Sequence, residues 1–279
     1  MIDVRDAAHL GENAYVPEHM VGYVNAVSGA EAFLVDGFLV YQAGERLVFV
    51  GYPPGETFDE RKARKAWDKA LRRFRPGEAV FIGPELPAWL KPGGPVVEDR
   101  YYLLDLERLR VSQKVRNMLT RARREVTVAG AREVTQEHVG LIESFLRAHD
   151  VEEGTRHIFS RIGAYVTGVP TARLFEARDR RGGLVAFDVA EFGAAGYAFY
   201  MFNFRSLELR VPGVSDLLLA HLIEQAGSEA KRWVNMGLGI SPGVVRFKTK
   251  WGARPFLQYV ACSQQQKGNR LVSALLDKL

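Results

Sequence analysis

Apolar residues fall in short runs over 31–53, EAFLVDGFLVYQAGERLVFVGYP, broken at Asp36-Gly37 and at Ala43-Gly44-Glu45. This pattern predicts a three-stranded meander. Over 59–75 the period changes: Ala63, Ala66, Trp67, Ala70, Leu71 and Phe74 stand at i, i+3, i+4, i+7, i+8 and i+11, one face of an amphipathic helix. EAVFIGP (78–84) predicts a fourth strand, LKPGGPVVED a loop and YYLLDL (101–106) a further strand. The second half runs through the same order. Helical stretches at about 135–149 and 157–166 lead into TARLFEAR, GLVAFDVAEF and GYAFYMFNF, three strands joined by turns at 179–183 and 193–196. A helix, VSDLLLAHLIEQAGSEA, comes next, then the strand RWVNMG and a last strand, PFLQYVAC. Meander, helix and strand therefore occur twice. No residue-level repeat accompanies this, so the duplication is one of topology in an α/β chain, with one lobe expected over 1–110 and a second over 111–279. VSQKVRNMLTRARREVTV joins them as a basic helix: Val115, Met118, Leu119, Ala122 and Val126 share a face, and Lys114, Arg116, Arg121, Arg123 and Arg124 lie mostly off it.

Composition narrows the function classes. With 279 residues, 47% of them hydrophobic, the chain can bury one large core or two ordinary ones. Its one cysteine, Cys262, excludes an intramolecular disulfide and a cysteine-based zinc site, which suits a reducing cytoplasm, and no metal is expected. The N-terminus lacks a signal-peptide pattern, and no apolar run reaches the roughly 18 residues of a membrane span. A net charge of +5 favours phosphate-bearing partners, and the eight Lys and Arg within 61–75 form either a solvated face or a docking surface for RNA or anionic lipid.

Two segments carry candidate chemistry. Between a strand and a helix, LELRVPGVSDLLLAHL contains Arg210-x-x-Gly213-x-Ser215. Such a loop can aim backbone N–H groups at a pyrophosphate, with Gly213 allowing close approach and Ser215 capping the helix; a plain Pro-Gly turn reads the same way. SPGVVRFKTKWGARP (241–255) sets Arg246, Lys248 and Lys250 at every second position, with Phe247 among them and Trp251-Gly252 behind. Alternate cations can share one wet face, or one of them can serve a reaction. Tyr200, Asn203 and Arg205 sit at or just beyond the end of GYAFYMFNF, where Tyr200 can relay a proton or hold a nucleophile. Asp188 and Glu191 are three apart on a strand, hence on opposite faces, so at most one acts as a base. His149, His157, His221 and Cys262 show no ligand or base spacing and are read as structural.

The order of elements around Arg210-x-x-Gly213-x-Ser215 resembles the acetyltransferase (GNAT) fold and its Arg/Gln-x-x-Gly-x-Gly/Ala acyl-CoA loop. VNMGLG…GVVRFKTKWGARP and LDLERLRVSQKVRNMLTRARRE further resemble the Fem-type aminoacyl transferases and the catalytic domain of phosphatidylglycerol lysyltransferase, which are double GNAT folds fed by charged tRNA. The resemblance covers about 100–262, and its most specific element is Phe247-Lys248 followed by Trp251-Gly252. It implies two tandem GNAT-like lobes, each a mixed, mostly antiparallel sheet flanked by helices. It also implies transfer of an acyl or aminoacyl group by direct attack, with acyl-CoA or aminoacyl-tRNA as donor substrate and no permanently bound cofactor. Lys248 and Tyr200 are then the expected catalytic residues, Arg210, Gly213 and Ser215 the donor loop, and Asn203, Arg205, Arg246, Phe247 and Lys250 the substrate contacts. Partners would be tRNA and a small-molecule, peptide or lipid-headgroup acceptor. The reading from another class is a catalytically silent protein that binds RNA or anionic lipid through its basic faces.

Overall fold

The computed structural model describes residue 2 and residues 4–266; the last residues of the expected second lobe, 267–279, lie outside the described residues. The predicted meander is β1 (Glu31–Val35), β2 (Phe38–Ala43) and β3 (Arg46–Val50). The helix α3 (Glu60–Phe74) leads to β4 (Glu78–Gly83), parallel to β3, and a loop leads on to β5 (Val97–Asp105). In α3 the side chain of Asp59 caps the first turn, and Ala63, Ala66, Trp67 and Ala70 are buried, as the helical spacing requires. The second half holds β7 (Ala172–Asp179), β8 (Leu184–Glu191), β9 (Tyr197–Arg205), α8 (Val214–Ser228), β10 (Trp233–Leu238), parallel to β9, and β11 (Arg254–Gln265). The duplication of topology is present: antiparallel meander, helix, parallel strand, then one more strand.

All eleven strands of the described residues form one sheet, and its order shows how the halves join. The last strand of each half pairs with the parallel strand of the other. β11 lies antiparallel to β4, β5 lies antiparallel to β10, and β11 and β5 pair with each other at the centre. Read outward from that central pair, the sheet runs β11-β4-β3-β2-β1 one way and β5-β10-β9-β8-β7 the other, with β6 (Val126–Ala131) added at the far edge. The halves have thus exchanged their final strands.

Helices cover both faces. On one face, α4 (Gln113–Ala122) and α8 pack over a core that includes Tyr102, Phe175, Ala186, Leu218 and Trp251. On the other, α5 (Gln136–Ala148), α6 (Glu153–Ser160) and α7 (Ile162–Gly168) cover Phe187, Val189 and Phe204. The N-terminal elements α1 (Val4–Glu12), a 3-10 turn at Pro17–His19 and α2 (Val21–Ser28), for which the sequence pattern gave no expectation, contribute Val16, Val21 and Val27 to the buried cores.

Three expectations need correction. Val126 does not continue the basic helix: α4 stops at Ala122, and the β-branched Val126, Thr127 and Val128 open β6. The stretch 157–166 is not one helix, because the chain turns at Arg161 between α6 and α7. The cation-rich stretch does not set its three cations on one wet face but folds as α9 (Pro242–Lys250), with Ser241 as N-cap, Pro242 in the first turn and Gly252 in the left-handed region after its end.

Candidate active site

The two parallel strand pairs differ in one respect that locates a cleft. In the first half, β3 and β4 stay paired through Val50 and Ile82, and Gly51 N–H donates to Ile82 O at 2.6 Å beyond them. The Phe81 ring fills the space over Gly51 and Gly83, where an added Cβ would come within 2.8 and 2.6 Å of it. In the second half, pairing of β9 with β10 stops at Phe199 and Asn235. Residues 200–205 of β9 therefore have no strand partner on that side, while β10 bulges onto β5 between Asn235 and Leu238. Such a gap at the carboxyl ends of parallel strands is where open α/β sheets take their ligands.

Lys248 reaches this gap from α9. Cations two apart on a helix point about 200° apart, so Lys248 turns to the gap while Arg246 faces solvent and Lys250, half-buried, turns to another side of α9. Lys248 is 3% exposed, whereas Arg246 is exposed and makes no ion pair among the described residues. The Lys248 ammonium donates to Leu238 O and lies 5.6 Å from the centre of the Tyr102 ring. Burial lowers its pKa from 10.5 to about 8, and the carboxylate of Asp99 pulls weakly the other way. At neutral pH it is thus a largely protonated, poorly solvated cation. Asp99 also ties down the turn before α9, accepting from Gly239 N at 3.0 Å and Ile240 N at 2.8 Å. Ile240, at φ 58°, is a β-branched residue in the left-handed region and 80% exposed.

A half-buried polar chain that ends on the fully buried Asp188 borders the gap on the α8 side. Ser215 Oγ donates to Asn203 Oδ1 at 3.0 Å, Asn203 donates its amide to Asp188 Oδ1, and Tyr200 Oη donates to the same oxygen at 3.5 Å. Asp188 Oδ2 is buried without a partner. Burial raises the Asp188 pKa well above the usual carboxyl range against the effect of its hydrogen bonds. Tyr200 is likewise held as a neutral phenol, by burial and then by Asp188 and Asp216. Its ring stacks on Phe247, with centroids 6.2 Å apart. Glu191 faces the other way and accepts from Tyr165 Oη at 2.7 Å, so the two carboxyls of β8 do serve opposite faces.

The remaining residues singled out in the sequence take definite places. Lys250 is bound to Asp216 Oδ1 at 2.6 Å, and Trp251 Nε1 donates to the same oxygen at 2.8 Å. Arg210 donates to Leu207 O of its own loop at 3.0 Å, and Arg205 is exposed at the end of β9. Gly213 is the N-cap of α8 at φ 84°, and a Cβ there would meet Met118 of α4 at 2.5 Å. Ser215 does not cap α8, since its hydroxyl is used on Asn203. The structure therefore brings Lys248, Tyr200 and Phe247 together at the gap, with Asn203 and Ser215 behind Tyr200. Asp99, Tyr102, Asp188 Oδ2 and Asp216 complete the surroundings. Asp99, Tyr102 and Asp216 carry no motif, and only the strand exchange brings β5 beside α9.

No protein-family model matches the sequence, and a comparison with curated proteins finds no match either. Solved structures do match. L-PGS from Bacillus licheniformis superposes with a TM-score of 0.61 at 15% identity, over 99% of this chain and 96% of that one. FemX superposes with a TM-score of 0.61 at 9% identity, over 99% of each chain. A tandem GNAT protein from the clavulanic acid biosynthesis pathway gives 0.53 at 14% identity, over 82% of this chain and 78% of that one. Matched along nearly its whole length to L-PGS and FemX, and over most of it to a tandem GNAT protein, the chain has the double GNAT fold.

Proposed function

We propose that the protein is an aminoacyl or acyl transferase whose transfer site is the gap between β9 and β10, with Lys248 as the electrophilic catalyst. The observation that carries this is a lysine buried at the one open parallel strand pair, with one N–H held by Leu238 O and two left to donate. When an amine or hydroxyl attacks an ester or thioester carbonyl, negative charge gathers on the carbonyl oxygen. A fixed, poorly solvated cation stabilises that charge more than it stabilises the neutral ground state. Tyr200, held as a neutral phenol by burial, is suited to orient the nucleophile or the leaving group by hydrogen bond rather than to exchange a full proton.

Between the two donors the local electrostatics favour aminoacyl-tRNA. A pyrophosphate at the start of α8 would find Arg210 turned back on Leu207 O and would approach a loop already packed on Met118. Charged tRNA makes no such demand, and it suits the exposed cations of α3 and α4. Nothing in the site selects one acceptor class.

The test is transfer from charged tRNA and from acyl-CoA by wild type, Lys248→Ala and Arg246→Ala. Lys248→Ala should lower kcat by about a hundredfold or more with donor affinity nearly unchanged, the scale of losing one preorganised donor. Arg246→Ala removes the same charge from the outer face and should act, if at all, on KM. Lys250 is unsuitable as the control because it neutralises Asp216. Equal small losses in both variants would make α9 a docking surface and end the catalytic assignment. Absence of transfer from either donor would favour the silent polyanion-binding reading.

A further inference from the structure

The face of the central strands opposite α4 and α8 carries a polar cluster that the transfer step does not use. The 3-10 turn at Pro17–His19 lays Glu18 and His19 against β2, β5 and β11. Tyr101 Oη donates to Glu18 Oε1 at 2.7 Å, and Tyr41 Oη donates to Glu18 O at 2.7 Å. Tyr52 and Tyr259 pack edge-on against Tyr101, and Tyr15 packs edge-on against both His19 and Tyr52. Burial holds the phenols of Tyr15, Tyr41, Tyr52, Tyr101 and Tyr259 neutral, and against the hydrogen bond from Tyr101 it raises the Glu18 pKa, so the carboxyl stays ionised more readily with a cation beside it.

Two acceptors in this cluster are left over. Glu18 Oε2 is buried without a partner. His19 Nε2 lies 2.7 Å from Tyr52 O; a carbonyl can only accept, so Nε2 carries the hydrogen and Nδ1 is a bare acceptor, and Nδ1 too is buried without a partner. Burial lowers the His19 pKa to about 4, which keeps the ring neutral. No charged partner reaches either atom, and the walls of the cluster are tyrosine faces and edges. An ammonium group entering among these tyrosines would hold the Glu18 carboxyl ionised and bind it by charge, hydrogen bond and cation–π attraction together. Burying a carboxyl oxygen with nothing to bond otherwise only costs stability.

The cluster is joined to the transfer site through two residues. Leu238 stands opposite Tyr101 in the β10–β5 pairing and packs its side chain among these tyrosines, while its carbonyl holds the Lys248 ammonium. Asn235, fully buried, links the same places, donating to Tyr15 O at 2.9 Å and accepting from Gly237 N at 2.8 Å in the bulge.

We propose that Glu18, walled by Tyr15, Tyr52, Tyr101 and Tyr259, is a binding site for a primary ammonium group of a substrate whose carbonyl lies at Lys248. The placement at Lys248 rests on the transferase reading; the ammonium site itself does not.

Calorimetric titration of the full chain with four amides tests it. L-Lysinamide carries α- and side-chain ammonium groups, norleucinamide only the α, 6-aminohexanamide only the terminal one, and hexanamide neither. At least one ammonium probe should bind and hexanamide should not, and whichever single-ammonium probe retains binding shows which group is read. Glu18→Gln keeps the size and an acceptor for Tyr101, and should weaken the bound probe by about tenfold or more without altering the far-UV circular dichroism. Tyr101→Phe, which leaves the carboxylate in place, should weaken it less. Binding undiminished in Glu18→Gln, binding of hexanamide as tight as the others, or no binding by any probe overturns the site. If Glu18-dependent binding persists in a protein that transfers nothing from either donor, the transferase reading fails and the ammonium site stands. If transfer proceeds with unchanged KM in Glu18→Gln, the placement of the bound substrate's carbonyl at Lys248 fails and the transferase reading stands.

Discussion

Lys248 is costly to the fold at neutral pH. Drawing a lysine pKa from 10.5 to about 8 corresponds to about 3 kcal/mol of disfavoured burial of the charged form, before the contacts it makes to Leu238 O and Tyr102. The sign follows from proton counting: between pH 8 and 10.5 the unfolded chain holds more protons than the native one, so stability rises with pH through that window, and below it the cost is borne in full. Lys248→Met keeps the length of the side chain and drops the charge. It should abolish transfer yet raise stability at pH 7 by about 1–3 kcal/mol, a gain that shrinks as pH climbs from 8 toward 10.5. Urea unfolding at pH 7 and pH 10 measures both ends. A variant less stable than wild type at pH 7 would mean that the ammonium is held in place for packing and not against a cost. Activity that depends on the protonated amine should fall as pH rises through about 8.

Among the elements, α8 and α4 depend on one missing side chain. Gly213 combines φ 84° with a Cβ position 2.5 Å from Met118 Cγ, so Gly213→Ala must both strain the backbone and push α4 away. We expect a loss of about 1–3 kcal/mol, largely recovered at the contact by Met118→Ala in the same chain, as read from unfolding midpoints and a double-mutant cycle. Purely additive losses would place the whole effect in the backbone. The glycine, the helix start and the basic face of α4 were legible in the sequence, because a Pro-Gly turn and a 3.6-residue period are local signals. The direction of the cations in RFKTK was not. Spacing of two suits one wet face of a strand, yet Ser241-Pro242 starts a helix, and on a helix the same spacing separates Lys248 from its neighbours. The tyrosines around Glu18 were equally hidden, since Tyr15, Tyr52, Tyr101 and Tyr259 come from four places in the chain and carry no common period. Asp216 reads as an ordinary first-turn acid, and only the approach of Trp251 and Lys250 makes it an anchor.

At the scale of the whole molecule, the exchanged strands decide how stability is shared. β11 belongs to the second half of the chain but completes the ladder beside β4, from Val260 opposite Gly83 to Gln265 opposite Glu78. β5 belongs to the first half and lies between β10 and β11, so opening either half strips a strand from the other. We propose that the two lobes, although duplicated in topology, unfold as one unit. Trp67→Ala offers the test, because Trp67 is buried among Phe49, Phe81 and Trp89, in a core to which only Cys262 of the exchanged β11 comes from the second half. Emptying that space should cost about 3–5 kcal/mol. If the halves are coupled, hydrogen exchange of amides in β7, β8 and β9 should lose protection by the same amount as that of amides in β2 and β3, although no atom of the second-half strands has changed. Those second-half amides keeping wild-type protection while the first half loses it would show two independent lobes. The exchange would then be a connection between domains and not the centre of a single folding unit.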